Sequence, residues 1–323
     1  MECGTLGHVI TPKVGCPIAF ALLLAGAVAA DERVQIEPRT GLGSTKRRST
    51  ATISATANLV MVPVSVLDAA GAPVRGLARG GFRLFEDGVE QTVQSFGEED
   101  APVSIGIVFD ASRSMRPRLA AAKEAAERLF EQARPGDEYH LVEFNDAPRV
   151  LCDLTGNTAA VRAALGRVAV RGFTALFDGI ILSAQSMRRA KNARRALVIL
   201  SDGEDNFSRY EEGEVKSYLD EAGVVIYSIG ISNGPFAGYQ ARHLRRFAEQ
   251  TGGHCYPGVR SANLGDAVRS IGDAIRSQYL LSYYSANRNA EGKYRRIHVR
   301  TPAGDRRDWS ASWRAGYYGS DVR

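Results

Sequence analysis

Residues 103–114, VSIGIVFDASRS, decide the fold. Val103–Phe109 is an almost unbroken apolar run, the pattern of a strand buried on both faces rather than on one. The run stops at Asp110, after which Asp110, Ser112 and Ser114 alternate with Ala111 and Arg113. A buried strand ending in oxygen-bearing side chains marks the carboxyl edge of an α/β sheet, where ligand sites gather. Residues 118–133 follow with Ala, Glu, Lys and Leu in helical proportion, and Pro135-Gly136 closes that helix.

The alternation continues outward. Strands are expected at 138–144, 148–152, 196–200, 224–229 and 254–257, and helices at 158–168, 178–191, 208–222, 239–250 and 264–278. The second and third strands are close enough to form an antiparallel hairpin. Strands alternating with helices predict βαβ units and a doubly wound, mostly parallel sheet of α/β class across residues 99–277.

Both flanks read differently. In 57–98, Val60, Val62, Val64 and Val66 alternate with a period of two, residues 68–73 supply a turn, and 82–86 and 90–96 flank the hairpin dipeptide Asp87-Gly88. In 278–323, the segments 278–285, 294–301 and 309–317 are strand-like. The two flanks are expected to pair in one small β-sandwich at the base of the inserted α/β domain.

The N-terminus reads as a signal peptide over residues 1–30. Lys13 precedes an apolar run at 17–30 that ends in Ala27-Val28-Ala29-Ala30. Its 14 residues are too few for an ordinary membrane-spanning helix, so no stable membrane span is expected. The protein is therefore expected to be exported, to the periplasm or beyond the cell. Residues 31–56 read as a flexible linker, with Gly, Ser, Thr and Arg dominating 39–50.

With 44% hydrophobic and 24% charged residues, a packed soluble core is feasible. The net charge of +5 is mild and fits a solvated basic surface, so no nucleic-acid partner is expected. His140, His243, His254 and His298 are scattered without zinc spacing and without a neighbouring nucleophile. There is no Gly-x-Ser-x-Gly elbow and no phosphate loop.

Three segments stand at expected strand ends or in the loops beside them: Asp110-x-Ser112-x-Ser114, Gly172–Asp178 with Thr174 inside it, and Ser201-Asp202-Gly203-Glu204-Asp205. Together they resemble the metal-ion-dependent adhesion site of von Willebrand factor type A domains, and the resemblance covers about residues 103–277. The resemblance implies that Asp110, Ser112, Ser114, Thr174 and Asp202 hold Mg2+ (or Mn2+ or Ca2+), and that a protein ligand offers an acidic side chain to the ion. It also implies the strand order 3-2-1-4-5-6, with the first and fourth strands central. Arg113 departs from the family, which often has glycine there. The chemistry is consistent with the implication: Mg2+ wants about six hard oxygens, and three hydroxyls with two carboxylates leave room for one more from a ligand.

Blander readings exist for each residue. Asp110, Ser112 and Ser114 alone would equally suit a turn that caps the next helix. Asp178 reads as a cap of the helix it opens, or as an acceptor behind the site. Glu204 and Asp205 suit an exposed acidic loop as well as the surroundings of an ion, and Asp137 and Glu138 are expected to be solvated. Under the implied strand order, Cys152 and Cys255 lie on opposite edges, five spacings or about 24 Å apart. A disulfide needs Cα atoms within about 7 Å, so both are expected to be small buried thiols. The whole chain, including its closing Arg314–Tyr318, resembles bacterial secreted proteins related to the same family. The expected function is an exported binding or adhesion module, not an enzyme. The alternatives are a metal-assisted hydrolase using the same ion and a structural domain whose site stays empty.

Overall fold

The computed structural model describes residues 59–99, 101–232, 241–287, 292–305 and 308–319. The signal peptide and linker expected at 1–30 and 31–56 lie outside the described residues. Every described residue belongs to one compact unit, Ser54–Arg323.

Strand β1 (Leu59–Leu67) has the expected bounds, and Val62, Val64 and Val66 are fully buried. Each such side chain contributes about 1.5–3 kcal/mol by leaving water. Strands β2 (Arg83–Glu86) and β3 (Val89–Gln91) form a hairpin. Its turn residues, Asp87 and Gly88, both have positive φ, 50° and 83°. That is the twist two-residue hairpins require. The segment 90–96, expected as one strand, is two. The chain leaves β3 at Thr92 and continues as β4 (Val93–Glu99), which pairs in a different sheet.

The α/β portion follows. Its strands are β5 (Val103–Asp110), β6 (Glu138–Phe144), β7 (Arg149–Thr155), β8 (Arg194–Ser201), β9 (Val225–Ile231) and β10 (Cys255–Val259). Its helices are α1 (Leu119–Glu131), α2 (Thr158–Gly166), α3 (Leu176–Met187), α4 (Glu212–Ala222), α5 (Arg242–Thr251) and α6 (Leu264–Arg276). The sheet order is β10-β9-β8-β5-β6-β7, parallel throughout except for β7, which runs antiparallel to β6.

Every residue of β5 is buried, as a strand with helices on both faces must be. Ile105, Ile107 and Phe109 pack in a cluster with α1, α2 and α6, while Val108 packs with α3, α4 and α5 on the other face. Gly106 permits this closeness. A Cβ there would stand 2.6 Å from Leu197 Cδ2 and 3.1 Å from Ser183 Oγ of α3.

The chain closes with β11 (Gln278–Tyr284), β12 (Tyr294–Arg300), β13 (Ser310–Trp313) and β14 (Gly316–Tyr318). These join the N-terminal strands in two four-stranded sheets, β13-β1-β11-β4 and β14-β12-β2-β3. Val62, Val64, Leu84, Leu281, Tyr283 and Val299 form one buried cluster between them. The segment 309–317 was also expected as one strand, and it too divides, at 314–315, with one half in each sheet.

Asp137 and Glu138 correct another expectation: they are buried, not solvated. Asp137 accepts from the Val103 amide at 3.0 Å and from Arg276 Nη2 at 2.8 Å. Glu138 accepts from Ser104 Oγ at 2.9 Å and from the Lys191 amide at 3.0 Å. The carboxylates satisfy polar groups at the entry ends of the central strands, where the ladder leaves donors unpaired. The cysteines are free and sit on opposite edge strands, β7 and β10. Cys255 is buried as expected, but Cys152 is only half-buried because β7 is an edge strand.

Candidate metal centre

Asp110 is the last residue of β5, and Ser201 is the last residue of the neighbouring β8, with Asp202 immediately after it. From β5 the sheet extends one way through β6, and from β8 the other way through β9. This reversal opens a crevice at the carboxyl ends of the two strands.

Three loops are laced together around that crevice by main-chain bonds. The Arg171 amide donates to Ala111 O at 2.9 Å, and the Arg113 amide to Gly172 O at 3.3 Å. The Asn206 and Phe207 amides donate to Thr174 O at 3.0 and 3.1 Å, and Asn206 Oδ1 accepts from the Thr174 amide at 2.9 Å. Gly172 makes the middle loop possible. Its φ is +65°, and a Cβ there would fall 2.1 Å from the Asp146 carboxylate, which accepts from the Phe173 amide.

Asp110 is fully buried, and Ser112, Thr174 and Asp202 are nearly so, while Ser114 is exposed. The Ser112 amide donates to Asp110 Oδ1 at 2.8 Å, and the Ser112 and Ser114 hydroxyls are 3.0 Å apart. Ser112 precedes a short 3-10 turn at Arg113–Arg118 but its side chain makes no capping bond to it. The capping reading of the Asp-x-Ser-x-Ser segment therefore has no support from Ser112. Burial, with the negative charge of Asp202 second, pushes Asp110 up to about 7, although the Ser112 and Ser201 hydrogen bonds act against the rise. Thr174 joins the group through its loop.

The acids beside the site have other duties. Asp178 does not cap α3, whose N-cap position is Ala175. Instead Asp178 Oδ1 accepts from the Arg209 and Tyr210 amides at 2.9 and 3.2 Å, and Oδ2 from Arg209 Nε at 3.2 Å. The free amides of α3 are capped from a distance: Asp205 Oδ1 accepts from the Phe177 amide at 3.2 Å, and Ser208 Oγ from the Phe177 and Asp178 amides. Asp205 is thus a structural acceptor.

Sequence reasoning missed three residues. Ser201 Oγ donates to Asp110 Oδ2 at 2.6 Å and accepts from the Gly203 amide at 3.0 Å. A polar residue closing the apolar run 196–200 was the available signal. Asn145 is buried just after β6; its main-chain O accepts from the Ala175 amide at 2.8 Å, and its side-chain Nδ2 has no partner among the described residues. Glu143 is buried and pairs with Arg149 and Arg171, which holds the middle loop down.

The donor set suits a hard divalent cation. It consists only of oxygens, with two buried carboxylates whose mutual repulsion a cation would relieve. Among the described residues, no group of three or more His, Cys, Asp or Glu side chains is placed to hold a metal ion. A cation here would accordingly depend on hydroxyls as much as on carboxylates.

A doubly wound sheet with a polar crevice at its switch point defines the class. Residues 105–204 match the family model of the von Willebrand factor type A domain, and the chain carries such a domain. A UPF0353 protein of Mycolicibacterium vanbaalenii is 29% identical over 113 residues, 31% of this chain and 34% of that protein. The chain thus spans about a third of the length of the curated relatives it matches. Among solved structures, a von Willebrand factor type A protein from Catenulispora acidiphila is 14% identical, with 83% of this chain and 76% of that one covered and a TM-score of 0.48. BatB from Bacteroides thetaiotaomicron is 18% identical, with 54% and 97% covered and a TM-score of 0.45.

Proposed function

We propose that the protein is an exported binding module that engages an acidic side chain of a partner protein through a divalent cation, Mg2+ or a similar ion. Asp110, Ser112, Ser114, Thr174 and Asp202 would hold the ion. The observation that carries this reading is the burial of two like-charged carboxylates, Asp110 and Asp202, at the ends of adjacent strands beside a hydroxyl pair that caps nothing. Such a pair is costly in the absence of a counter-charge. The domain family, often used for adhesion and protein interaction, supports the partner class. Export rests on the apolar run at 17–30 and its small-residue end.

The test is thermal unfolding in chelator and with added Mg2+ or Mn2+. An ion at a hundredfold over its dissociation constant stabilises by about 2.7 kcal/mol. Wild type is expected to gain several degrees in Tm and Asp110→Ala nothing. Equal behaviour of the two would remove the cation from the account.

A further inference from the structure

Phe173 and Phe207 stand out on the face around Asp110. They are 56% and 49% exposed, and their rings stack at 5.1 Å with an interplanar angle of 13°. Phe173 precedes Thr174 in one loop, and Phe207 lies in the loop that begins with Asp202. Both backbones are anchored: the Phe173 amide donates to Asp146 Oδ1 at 2.8 Å, and the Phe207 amide to Thr174 O at 3.1 Å. The ridge is therefore preformed by the same bonds that lace the crevice. Paired aromatic rings left in water beside a recessed polar site mark an interaction surface.

Charge adds direction. Arg113 and Arg116 are exposed on the loop that carries Ser112 and Ser114, and neither forms an ion pair with a described residue. Arg171 and Arg209, by contrast, are occupied by Glu143 and Asp178. The mouth of the crevice thus offers an aromatic ridge and two uncommitted cations.

We propose that the partner segment is an acidic peptide, turned at the point of contact, in which the carboxylate-bearing residue is followed by a large apolar one. Its carboxylate would meet the ion, and its apolar side chain would cover the Phe173–Phe207 ridge. Arg113 and Arg116 would draw further negative charge in the segment. The proposal rests on the cation reading above. A flat bilayer fits less well, because Asp110 and Asp202 are recessed while the two rings stand exposed, and only a protruding chain reaches both.

The probes are labelled hexapeptides GGDFGG, GGDGGG and GGNFGG, titrated against the full chain in Mn2+ and in chelator, with fluorescence anisotropy as the readout. In Mn2+, GGDFGG is expected to bind at least about fivefold more tightly than GGDGGG. The pair Phe173→Ala and Phe207→Ala should erase that difference while keeping GGDGGG binding and the Mn2+-dependent rise in Tm. Equal affinities for the two acidic peptides, or no binding of either, with the Tm rise intact would overturn the ridge and leave the cation reading standing. Loss of the Tm rise in wild type would overturn both. Tight binding of GGNFGG in chelator would make the ridge an independent apolar site, contrary to the proposal. Capture of acidic phospholipid vesicles through the two phenylalanines, without peptide selectivity, would replace the peptide by a membrane.

Discussion

Ser201 Oγ donates a 2.6 Å hydrogen bond to Asp110 Oδ2, joining the last residue of β8 to the last residue of β5. The bond fixes the carboxylate at the switch point, and the Gly203 amide in turn orients the hydroxyl at 3.0 Å. Ser201→Ala removes an acceptor for that amide and a donor to a buried carboxylate. The expected cost is about 1–3 kcal/mol in urea unfolding, together with a weaker Mn2+-dependent rise in Tm.

Asp110 gives the metal-free protein a specific pH dependence. Its carboxyl has an ordinary value of 3.8 and is pushed up to about 7, mainly by burial and then by Asp202. The unfolded chain therefore ionises first, and this group lowers stability as pH rises through that interval, by up to about 4 kcal/mol. In chelator at about pH 8, Asp110→Asn is expected to be more stable than wild type. A cation competes with the proton, so the stabilisation of wild type by Mn2+ should grow between about pH 6 and 8. Unfolding midpoints measured with and without chelator across that range check both statements.

His140 acts in the opposite sense. It is fully buried in β6, and burial lowers its value from 6.5 to about 4, only partly offset by the Asp153 carboxylate 3.8 Å away. The unfolded chain takes up a proton below 6.5 that the folded chain refuses until about 4, so stability is lost as pH falls through this window. Between about pH 7 and 5 the loss is about 2 kcal/mol. His140→Gln should lack that increment when wild type and variant are compared at the two pH values, which separates it from the Asp110 effect.

The flanking sandwich depends on a buried ion pair. Glu86 accepts from Tyr283 Oη at 2.6 Å, Tyr317 Oη at 2.8 Å, Ser285 Oγ at 2.7 Å and Arg295 Nη1 at 3.1 Å. Arg295→Met leaves the carboxylate buried without its counter-charge, and a loss of about 3–5 kcal/mol is expected. Glu86→Gln keeps one acceptor but turns the other oxygen into a donor facing donors and strips the buried Arg295 of its counter-charge, so it should cost no less. Chemical denaturation of the two variants gives the order.

The sequence was most readable where burial is uniform. β5 and β8 announce themselves as apolar runs because both faces are covered, and β1 as a strict alternation because one face is. The segments 90–96 and 309–317 each read as one strand for a physical reason. A period of two persists while a chain passes from one sheet to the other, so nothing local marks Thr92 or Arg314–Ala315 as the crossing.

The site was legible in part. The positions of Asp110 and of Ser201-Asp202 at the ends of apolar runs are readable from the residues themselves, whereas their grouping with Thr174 as ligands rests on the family resemblance. The roles of Asp178, Asp205 and Ser208 were hidden, since their bonds join residues about thirty positions apart and leave no periodic trace. Phe173 and Phe207 were equally hidden, because aromatic residues in a loop read as core until their exposure is seen.

The central claim is tested most directly by calorimetric titration of Mn2+ into the metal-free chain at about pH 8, for wild type, Asp110→Ala and Asp202→Ala. The account predicts one ion per chain for wild type, with binding abolished in both variants. Absence of binding in wild type, or unchanged binding in the two variants, would contradict it.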